Sequence, residues 1–599
     1  MPSRPGNQFQ KRKAGLVFDS WIAKECPVAL EWGKCDFKIG INMAGAISAG
    51  AYTAGVLDFL VEALDEWQKA KDACNNGYND PSRENPPPVP LHDVTIEVFS
   101  GASAGGMCAA IGSTMVQHPF THIKTCNERD TTNTFYESWV NKIDIRELLG
   151  TRDIVPGKPL ASLLDCTIID RIADYALAPQ PVISRPFISP SLTLFLTLSN
   201  VRGIPYRLYN DPAPTVEEFT SYYGDRLRFE ITQPGVRPSS ALAKPLPLGQ
   251  PDKHAWPLLK ETAKATGAFP IFLAPRVLTR DIEDYKIPLW EPLCSKKPNA
   301  LVSPAFPPGA PSTWETLNVD GGVIDNDPFE LAHGFLASSN PCARDCHNPR
   351  EPDKANCAVI TVAPFPAEES FDEKFDVEKS AAVWPMIGRL ASVLISQSRF
   401  SGESLQVITS GVSFSRFVIA PSDPNRPNSN VLQCGLLGAF GGFFERSFRA
   451  HDFLLGRRNC QRFLTAHFVL PTQNPVIVAG LERAGTTAPE IRRRWCVPPP
   501  SPKLGTGKDW MPIIPLCGTA VAEVTAPPRG RIAKQSLRQI VDLIIGRLKG
   551  IGPILVSGAP YALTIKLLLR LLLAWPVSFF VKRGLRRALT NELRSNVAD

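Results

Sequence analysis

This chain of 599 residues contains few histidines and cysteines, and its net charge is small. The formal net charge is only +7, from 65 Lys and Arg against 58 Asp and Glu, so the composition does not indicate a nucleic-acid-binding surface. Fourteen cysteines are far fewer than a disulfide scaffold of this length needs. We expect Cys108, Cys166, Cys357 and Cys434, which stand in apolar surroundings, to be reduced thiols that pack as small hydrophobic side chains.

The N-terminal segment 1–15 lacks the apolar run of a secretory signal. It is polar and basic, and we expect a poorly ordered tail over residues 1–35 and a cytoplasmic protein. Proline, in contrast, is abundant, since 57 residues are about twice the usual share of about 5%. We therefore expect a loop-rich region over 200–255 and a proline-rich linker over 496–530.

Two strand–turn–helix units stand near the beginning of the chain. Residues 37–43 and 94–99 are short apolar runs typical of buried strands. Apolar residues at helical spacing over 56–67 follow the first run, and a helix over 105–116 follows the second. Because strands that alternate with helices form parallel sheets, we expect an α/β protein with a mostly parallel central sheet.

The second strand leads into Gly101-Ala102-Ser103-Ala104-Gly105, which matches Gly-x-Ser-x-Gly between a strand and a helix. Small residues on both sides allow a sharp turn that presents the Ser103 hydroxyl at the edge of the sheet. The Ala104 N–H, at the start of the helix, would then point at a developing oxyanion. The pattern also arises by chance, so a tight turn that merely contains a serine remains the alternative.

A serine nucleophile needs a base that takes its proton, and none of the eight histidines stands in a context that singles it out. Asp320 is the better candidate for this base. It follows the short strand 317–319 and precedes Gly321 and Gly322, which allow the backbone to approach a nucleophile on a neighbouring strand. Burial should raise the pKa of such a carboxylate toward the value that the task requires.

Together these motifs resemble those of the patatin-like phospholipases. The shared features are a glycine-containing loop after the first strand, Gly-x-Ser-x-Gly after the second, and Asp-Gly-Gly followed by Asn326 and Pro328. The resemblance implies a three-layer α/β/α sandwich and a Ser–Asp dyad without histidine, with Ser103 as the nucleophile and Asp320 as the general base. It covers a catalytic core over residues 36–365 and a helical continuation to about 480.

The same resemblance places the oxyanion hole at Gly45, Ala46 and Ile47, together with Ala104. The family's loop usually has three successive glycines and an arginine, whereas this chain reads Gly-Ala-Ile-Ser-Ala-Gly over 45–50. Backbone N–H groups make such a hole, so Ala46 and Ile47 can serve if their φ is negative. The resemblance implies no metal and no organic cofactor.

The C-terminal region 531–599 differs in composition from the rest of the chain. Between residues 551 and 581 the only charged residues are Lys566 and Arg570, and a basic cluster follows. Glycine and proline divide this stretch into pieces shorter than the roughly 20 residues of a membrane-spanning helix. We expect helices that either pack on the main domain or lie at a membrane surface.

Three functions fit these observations. The first is a serine hydrolase that releases fatty acid from phospholipids or other lipid acyl esters, at a lipid or membrane surface, through an acyl-Ser103 intermediate. The second is a carboxylesterase with a Ser–Asp–His triad, which the early position of the serine motif and the lack of a distinctive C-terminal histidine disfavour. The third is a catalytically silent lipid-binding or scaffold protein, suggested by the altered oxyanion loop.

A separate motif, Cys342-x-x-x-Cys346-His347 with Cys357 nearby, leaves a zinc site open as an alternative to ordinary thiols. Structural zinc sites usually combine two closely spaced ligand pairs, and only one loose pair is present. We therefore expect no metal site.

Overall fold

A computed structural model of the chain describes residues 36–77, 87–208, 218–240, 242–250, 255–286, 293, 302–366, 377, 413–424, 431–504, 509–558, 583–590, 593 and 596–598. Its strands are β1 (Asp36–Met43), β2 (Asp93–Gly101), β3 (Ile188–Leu208), β4 (Glu218–Thr232), β5 (Lys244–Pro247), β6 (Arg276–Asp281), β7 (Val302–Pro304), β8 (Thr313–Asp320), β9 (Cys357–Val362), β10 (Arg416–Ile419), β11 (Val469–Pro471), β12 (Trp510–Pro512), β13 (Ile532–Ala533) and β14 (Val597–Ala598).

The longer helices are Gly50–Gly77, Ser103–Met115, Thr167–Ala176, Trp256–Thr266, Phe329–Ser339, Arg446–Ala466, Pro475–Ala484, Ala488–Trp495 and Lys534–Gly558. Short α-helical turns are Thr134–Tyr136, Ile145–Leu148, Leu436–Ala439 and Gly441–Phe444, and Glu137–Lys142 is a π-helical turn. The 3-10 turns are Ile47–Ala49, Ile282–Tyr285, Gly321–Val323, Gly485–Thr487, Pro502–Leu504 and Gly518–Val521. Residues 583–590 are also helical.

Five neighbouring strands of the central sheet run parallel, in the order β10, β9, β1, β2 and β3. Strands β4 and β8 pair antiparallel with β3, and β5 runs parallel to β4. Because the helix Gly50–Gly77 connects β1 to β2, these two strands take the parallel arrangement that a strand–helix–strand unit imposes. The predicted mostly parallel central sheet is confirmed.

Successive side chains along the strands point to opposite faces of the sheet, and each face has its own hydrophobic core. In β2, Phe99 joins the larger core and its neighbour Val98 joins the smaller one, as expected when successive side chains point to opposite faces. The helices Gly50–Gly77 and Ser103–Met115 contribute to the larger core, whereas the helix Phe329–Ser339 contributes to the smaller one. Helices therefore cover both faces, which confirms the predicted α/β/α arrangement.

The helices Gly50–Gly77 and Arg446–Ala466 cross in close backbone contact. A Cβ on Gly55 would lie 1.9 Å from the carbonyl oxygen of Phe453, and a Cβ on Gly456 would lie 2.2 Å from that of Tyr52. Any larger side chain at either glycine would push the helices apart. The second helix of this pair, from the late part of the predicted 36–480 domain, thus packs directly on the first helix of the α/β core.

One helical run among the described residues, Ile47–Cys74, is long and apolar enough to cross a bilayer. Of its most apolar window, 94% is buried inside the protein. The apolar character of this helix is therefore accounted for by its place in the larger core.

The region 200–255, predicted to be rich in loops, instead contains much of β3 and β4. Strand β3 is 21 residues long and β4 is 15 residues long, and the two pair antiparallel. The sequence signal is weak because Ile204 and Tyr206 alternate with polar and exposed residues. These side chains pack with Tyr285 in a small separate core, which holds this extension of the sheet in place.

The segment 496–530, predicted as a linker, is part of the main body. Its strand β12 pairs antiparallel with β11. Its side chains Trp510, Met511, Ile513 and Ile514 are buried in the larger core. The prediction of a linker is corrected accordingly, since the prolines of this segment occur in an extended chain that packs on the domain.

The helix Lys534–Gly558 begins the C-terminal region and packs on the main domain. Its Arg547 donates hydrogen bonds to Asp153 and to the carbonyl oxygens of Gly150 and Leu163. Its apolar side chains share a core with those of the turn Ile145–Leu148: Leu537, Ile540 and Val541. The segment 559–582 lies outside the described residues, so contact of this region with a membrane stays a prediction.

A buried ion-pair cluster joins the two crossing helices. The Arg457 guanidinium donates hydrogen bonds to the carboxylates of Asp58 and Glu62, and all three side chains are buried. Burial alone would raise the pKa of Glu62, but Arg457 and hydrogen bonds from Lys124 and Thr519 lower it to about 2. The carboxylates are therefore held ionised by a buried cation.

Removal of this cation should destabilise the fold. Arg457→Met keeps much of the side-chain length but leaves two buried carboxylates without their main partner, and we expect the free energy of unfolding at pH 7 to fall by about 3–5 kcal/mol. Urea unfolding measures this change. The matched control is Lys69→Met, which removes the exposed Lys69–Glu66 pair and should cost less than about 1 kcal/mol. Equal losses in the two variants would contradict a stabilising role for Arg457.

Candidate active site

Strand β2 ends in a tight turn at Ser103, which begins the following helix. The φ of Ser103 is +54°, a left-handed conformation that residues other than glycine seldom adopt. A Cβ on Gly101 would lie 2.6 Å from the carbonyl oxygen of Gly105, and a Cβ on Gly105 would lie 2.2 Å from that of Met43. Both glycines of the motif are therefore required by close contacts within the turn and with β1.

Ser103 and Asp320 are 217 positions apart in sequence and meet in the structure, where Ser103 Oγ donates a hydrogen bond of 2.6 Å to Asp320 Oδ2. The N–H of Gly322 donates to the other carboxylate oxygen, Oδ1, at 2.7 Å. The N–H of Asp320 itself donates to the carbonyl oxygen of Ala268 at 3.0 Å. Both carboxylate oxygens and the backbone of Asp320 are thus held in defined positions.

Burial raises the pKa of Asp320 from 3.8 to about 7, and the hydrogen bonds from Ser103 and Gly322 limit the increase. A carboxylate with this pKa is a stronger base than an exposed aspartate and is still substantially ionised near neutral pH. Its geometry and its basicity therefore both suit acceptance of the Ser103 proton.

Among the described residues, no histidine is hydrogen-bonded to Ser103 or lines the space around it. The histidines with defined hydrogen-bond partners lie elsewhere: His92 with Ile513, His118 with Pro181, His122 with Asp58, and His451 with Asp452. A Ser–Asp–His triad therefore has no base in this part of the chain.

The four predicted oxyanion residues differ in their surroundings. The N–H of Gly45 donates to the carbonyl oxygen of Asn326 at 3.0 Å. Because this N–H is already paired, the prediction that it donates to an oxyanion is corrected. Ala46 has a φ of −150° and does not line the pocket beside Ser103. Ile47 and Ala104 do line it, and both stand in the first turn of a helix, where N–H groups lack an acceptor within the helix.

Ile47 departs from the expectation of a negative φ, because its φ is +47°. This region is strained for a β-branched residue, whereas glycine, which the family usually has at this position, adopts it freely. The loop thus holds Ile47 in a conformation that glycine would adopt without strain, at a cost in local strain.

An apolar pocket lies beside Ser103 and Asp320, and both residues line it. Its aromatic side chains Phe269, Phe272 and Phe440 contact one another, with ring centroids 5.4–6.2 Å apart. The other large apolar lining residues include Ile111, Ile143, Leu148, Leu164, Ile169, Ile172, Leu177, Leu273 and Phe443. The space next to the dyad is therefore suited to an alkyl chain.

Two contributors to the site were not identified as site residues from the sequence. The N–H of Ser103 donates to Thr266 Oγ1 at 3.1 Å, which positions the turn at the start of the helix. The side-chain oxygen of Asn326 would lie 2.0 Å from a Cβ on Gly45. Both residues belong to segments that the resemblance covers, but only the folded contacts indicate what each one does.

The two cysteines of the motif Cys342-x-x-x-Cys346-His347 differ in their state. Cys342 is exposed and Cys346 is disulfide-bonded, whereas a zinc ligand must be a free thiolate. The described part of the chain contains no group of three or more His, Cys, Asp or Glu side chains arranged to hold a metal ion. The thiols of Cys108, Cys166, Cys357 and Cys434 are free and buried, as predicted.

The chain is similar to known proteins. The uncharacterized protein y4iI of Sinorhizobium fredii (strain NBRC 101917 / NGR234) is 33% identical over 596 residues, which cover 92% of this chain and 80% of that protein. The crystal structure of VipD from Legionella pneumophila aligns over 94% of this chain and 88% of its own, at 10% identity and a TM-score of 0.21. A family model described as patatin-like phospholipase matches residues 42–333. This match, whose range includes Ser103 and Asp320, shows that the chain belongs to the patatin-like phospholipase family.

Proposed function

We propose that this protein is a serine acyl hydrolase that releases fatty acid from phospholipids or other lipid acyl esters. The observation that carries the proposal is the 2.6 Å hydrogen bond from Ser103 Oγ to Asp320, beside an apolar pocket that both residues line. Membership of the patatin-like phospholipase family supports lipid substrates. An apolar pocket next to a nucleophile favours esters of long alkyl acids over small polar esters.

In the first half of the reaction, Asp320 accepts the hydroxyl proton as Ser103 Oγ attacks the ester carbonyl carbon. The carbonyl oxygen becomes an oxyanion, to which the N–H groups of Ile47 and Ala104 donate in this scheme. The N-terminus of the helix Ser103–Met115 adds partial positive charge. When the tetrahedral intermediate collapses, the leaving alcohol takes the proton from Asp320, and acyl-Ser103 remains.

In the second half, water enters in place of the alcohol. Asp320 accepts a proton from this water as its oxygen attacks the acyl carbonyl carbon. Collapse of the second tetrahedral intermediate breaks the bond to Ser103, returns the proton to Oγ and releases the fatty acid. The scheme requires no metal and no organic cofactor, because Asp320 is the partner in every proton transfer.

A second candidate function is a catalytically silent lipid-binding or scaffold protein on the same fold. One observation favours it, namely the sequence of the loop over 45–50, in which two glycines and the arginine usual in the family are replaced. A protein of this kind would use the apolar pocket but would not use the hydrogen bond between Ser103 and Asp320.

Fatty-acid release from mixed phospholipid vesicles distinguishes the two candidates. We expect release by the wild type, and an initial rate lower by about 10²–10⁴-fold in Asp320→Ala, because the base is missing. Ser103→Ala should be at least as inactive and should lose covalent labelling by a fluorophosphonate probe. The control is Asp325→Asn, which removes a nearby carboxylate that has no hydrogen bond to Ser103. Vesicle binding without release or labelling in the wild type would support the silent candidate instead.

The rate should depend on pH through the ionisation of Asp320. Because its pKa is raised to about 7 and the base must be ionised, kcat/KM on a soluble ester should fall as pH decreases below about 7 and level off above it. Burial, and then Glu330 and Asp327, raise the pKa of Asp325 to about 8, so Asp325→Asn must retain the same profile. A rate that stays level down to the ordinary aspartate range near pH 4 would contradict this role of Asp320.

Exposed apolar side chains follow both residues of the hydrogen bond from the Asp320 N–H to the Ala268 carbonyl oxygen, within four positions of each in the sequence. They are Ile271 (71% exposed), Phe272 (37%), Val323 (38%) and Ile324 (36%). We propose that these four residues form one rim beside the dyad, because exposed large apolar groups that lie together are typical of interaction surfaces. If the substrate is a membrane lipid, these residues are the part of the described surface that would contact the lipid layer.

Charged substitutions on this rim should separate action on vesicles from action on soluble esters. We expect Ile271→Asp combined with Val323→Asp to lower the rate on vesicles by about tenfold or more, since insertion of each apolar side chain is worth about 1.5–3 kcal/mol. The rate on a soluble short-chain ester should not change. Val521→Asp, at a 61% exposed site outside the rim, is the control. An equal loss on both substrates would indicate damage to the site rather than to a lipid contact.

A further inference from the structure

Two neighbouring residues of the chain hold both members of the Ser103–Asp320 pair by their backbones. Thr266 Oγ1 accepts a hydrogen bond of 3.1 Å from the Ser103 N–H. The Ala268 carbonyl oxygen accepts one of 3.0 Å from the Asp320 N–H. Because the two acceptors are only two positions apart in the sequence, they fix the backbone of the nucleophile relative to the backbone of the base.

The two acceptors are themselves held in place. Thr266 is the last residue of the helix Trp256–Thr266, and the Ala268 N–H donates to the Ala265 carbonyl oxygen at 3.0 Å. Both residues are buried. A Cβ on Gly106 would lie 2.7 Å from both Oγ1 and Cγ2 of Thr266, so the threonine side chain packs on the backbone of the helix that begins at the nucleophile.

The Ser103 N–H differs from its neighbours in the turn because its acceptor is a side chain. The Ala102 N–H donates to the Met43 carbonyl oxygen at 3.2 Å, and the Ala102 carbonyl oxygen accepts from the Gly106 N–H at 2.9 Å. Those partners are backbone atoms. The hydrogen bond to Thr266 fixes the peptide plane that precedes Ser103, whose φ of +54° persists only where surrounding contacts maintain it.

We propose that Thr266 is a positioning residue of the site, whose hydroxyl holds the Ser103 backbone in the conformation that directs Oγ at Asp320. The proposal rests on the proposed function, because it assumes that Asp320 takes the proton of Ser103. Thr266 acts through Ser103, since it is buried and is not among the residues that line the pocket. Without this acceptor the buried Ser103 N–H has to find another partner, and the turn rearranges so that Oγ moves away from the carboxylate.

Thr266→Val tests the proposal, because valine has nearly the shape of threonine but cannot accept a hydrogen bond. On a soluble ester we expect kcat to fall by about tenfold, the order of magnitude that an unpaired buried donor implies. KM should stay near the wild-type value, because no lining residue of the pocket is changed. The rate of covalent labelling by a fluorophosphonate probe should fall together with kcat.

The pH dependence of kcat/KM separates positioning from a purely structural role. The hydrogen bond from Ser103 lowers the pKa of Asp320, against the larger effect of burial, so this pKa rises if the hydroxyl moves away. The profile of Thr266→Val should therefore lie at higher pH than that of the wild type, for which we expect a midpoint near pH 7 from the Asp320 pKa of about 7. Loss of stability alone would not move the profile.

No charge near the base changes in this variant. Burial and hydrogen bonds set the pKa of Asp320. The other charged residue among the described pocket lining, Lys264, is paired with Asp170 and Glu261. A shifted profile therefore reports the hydrogen bond from Ser103.

Thr262→Val is the matched control. Thr262 lies one turn earlier on the same helix and is equally buried, and its hydroxyl donates to the Leu258 carbonyl oxygen at 2.7 Å. It does not line the pocket. The same substitution at this position should therefore leave kcat and the pH profile as in the wild type, even where urea unfolding shows a similar loss of stability.

A second pair of variants keeps the test decisive if valine impairs folding. Thr266→Ser retains the acceptor oxygen, and it should restore most of the wild-type kcat and the wild-type profile. Thr266→Cys has nearly the size of the serine variant but offers only a weak acceptor, and it should resemble Thr266→Val.

Wild-type kcat and pH profile in Thr266→Val overturn the proposal, as do an equal loss in Thr262→Val and a loss that appears in KM alone. Failure of the hydrolase proposal is distinct from these results. In that case the wild type itself shows neither fatty-acid release nor labelling, whereas the comparisons above are all made relative to an active wild type.

Discussion

The hydrogen bond between Ser103 and Asp320 depends on the register of a single strand, β3. In the sheet, Gly101 at the end of β2 pairs with Leu196 of β3, and Asp320 at the end of β8 pairs with Leu198. Leu196 and Leu198 are two positions apart on β3, so their side chains point to the same face of the sheet. Strand β3 therefore places the end of β2 next to the end of β8. The approach is also close, because a Cβ on Gly321 would lie 2.2 Å from the carbonyl oxygen of Thr197. A shift of either neighbour by one residue would turn the carboxylate away from the hydroxyl.

The raised pKa of Asp320 comes from burial, and segments far away in sequence provide the apolar surroundings. Phe440, which lies between the turns Leu436–Ala439 and Gly441–Phe444, and Phe443 of the second turn line the pocket. Ser48, next to Ile47, holds these turns, since its Oγ donates to the Ala439 carbonyl oxygen at 2.6 Å and accepts from the Gly442 N–H at 3.0 Å. The same contacts hold the strained backbone of Ile47 before the first helix. Backbone strain of this kind persists only where the surrounding structure maintains it.

Local motifs allowed the fold class and the Ser103–Asp320 pair to be predicted, because the residues of each motif stand next to one another in the sequence. Contacts between distant segments could not be predicted in the same way. The N–H of Gly45 is taken up by Asn326, and no feature near Gly45 in the sequence indicates this partner. Proline content likewise did not distinguish a linker from the extended chain at Trp510, whose burial depends on the strand that it joins. The pocket combines side chains from many separate helices and loops, so it becomes apparent only in the folded chain.

Two features of the site reduce the stability of the folded chain, and both are more easily explained by catalysis than by lipid binding alone. The left-handed backbone of Ile47 costs about 1–3 kcal/mol. Because the pKa of Asp320 is higher in the folded than in the unfolded chain, the folded state loses stability as the pH rises from about 4 to about 7. A lipid-binding protein would need the apolar pocket, but it would need neither a strained amide in the first turn of a helix nor a buried carboxylate beside a serine. Stability is commonly sacrificed at sites where reacting groups must be held in place, and in this pocket both costs fall on residues next to the Ser103 hydroxyl.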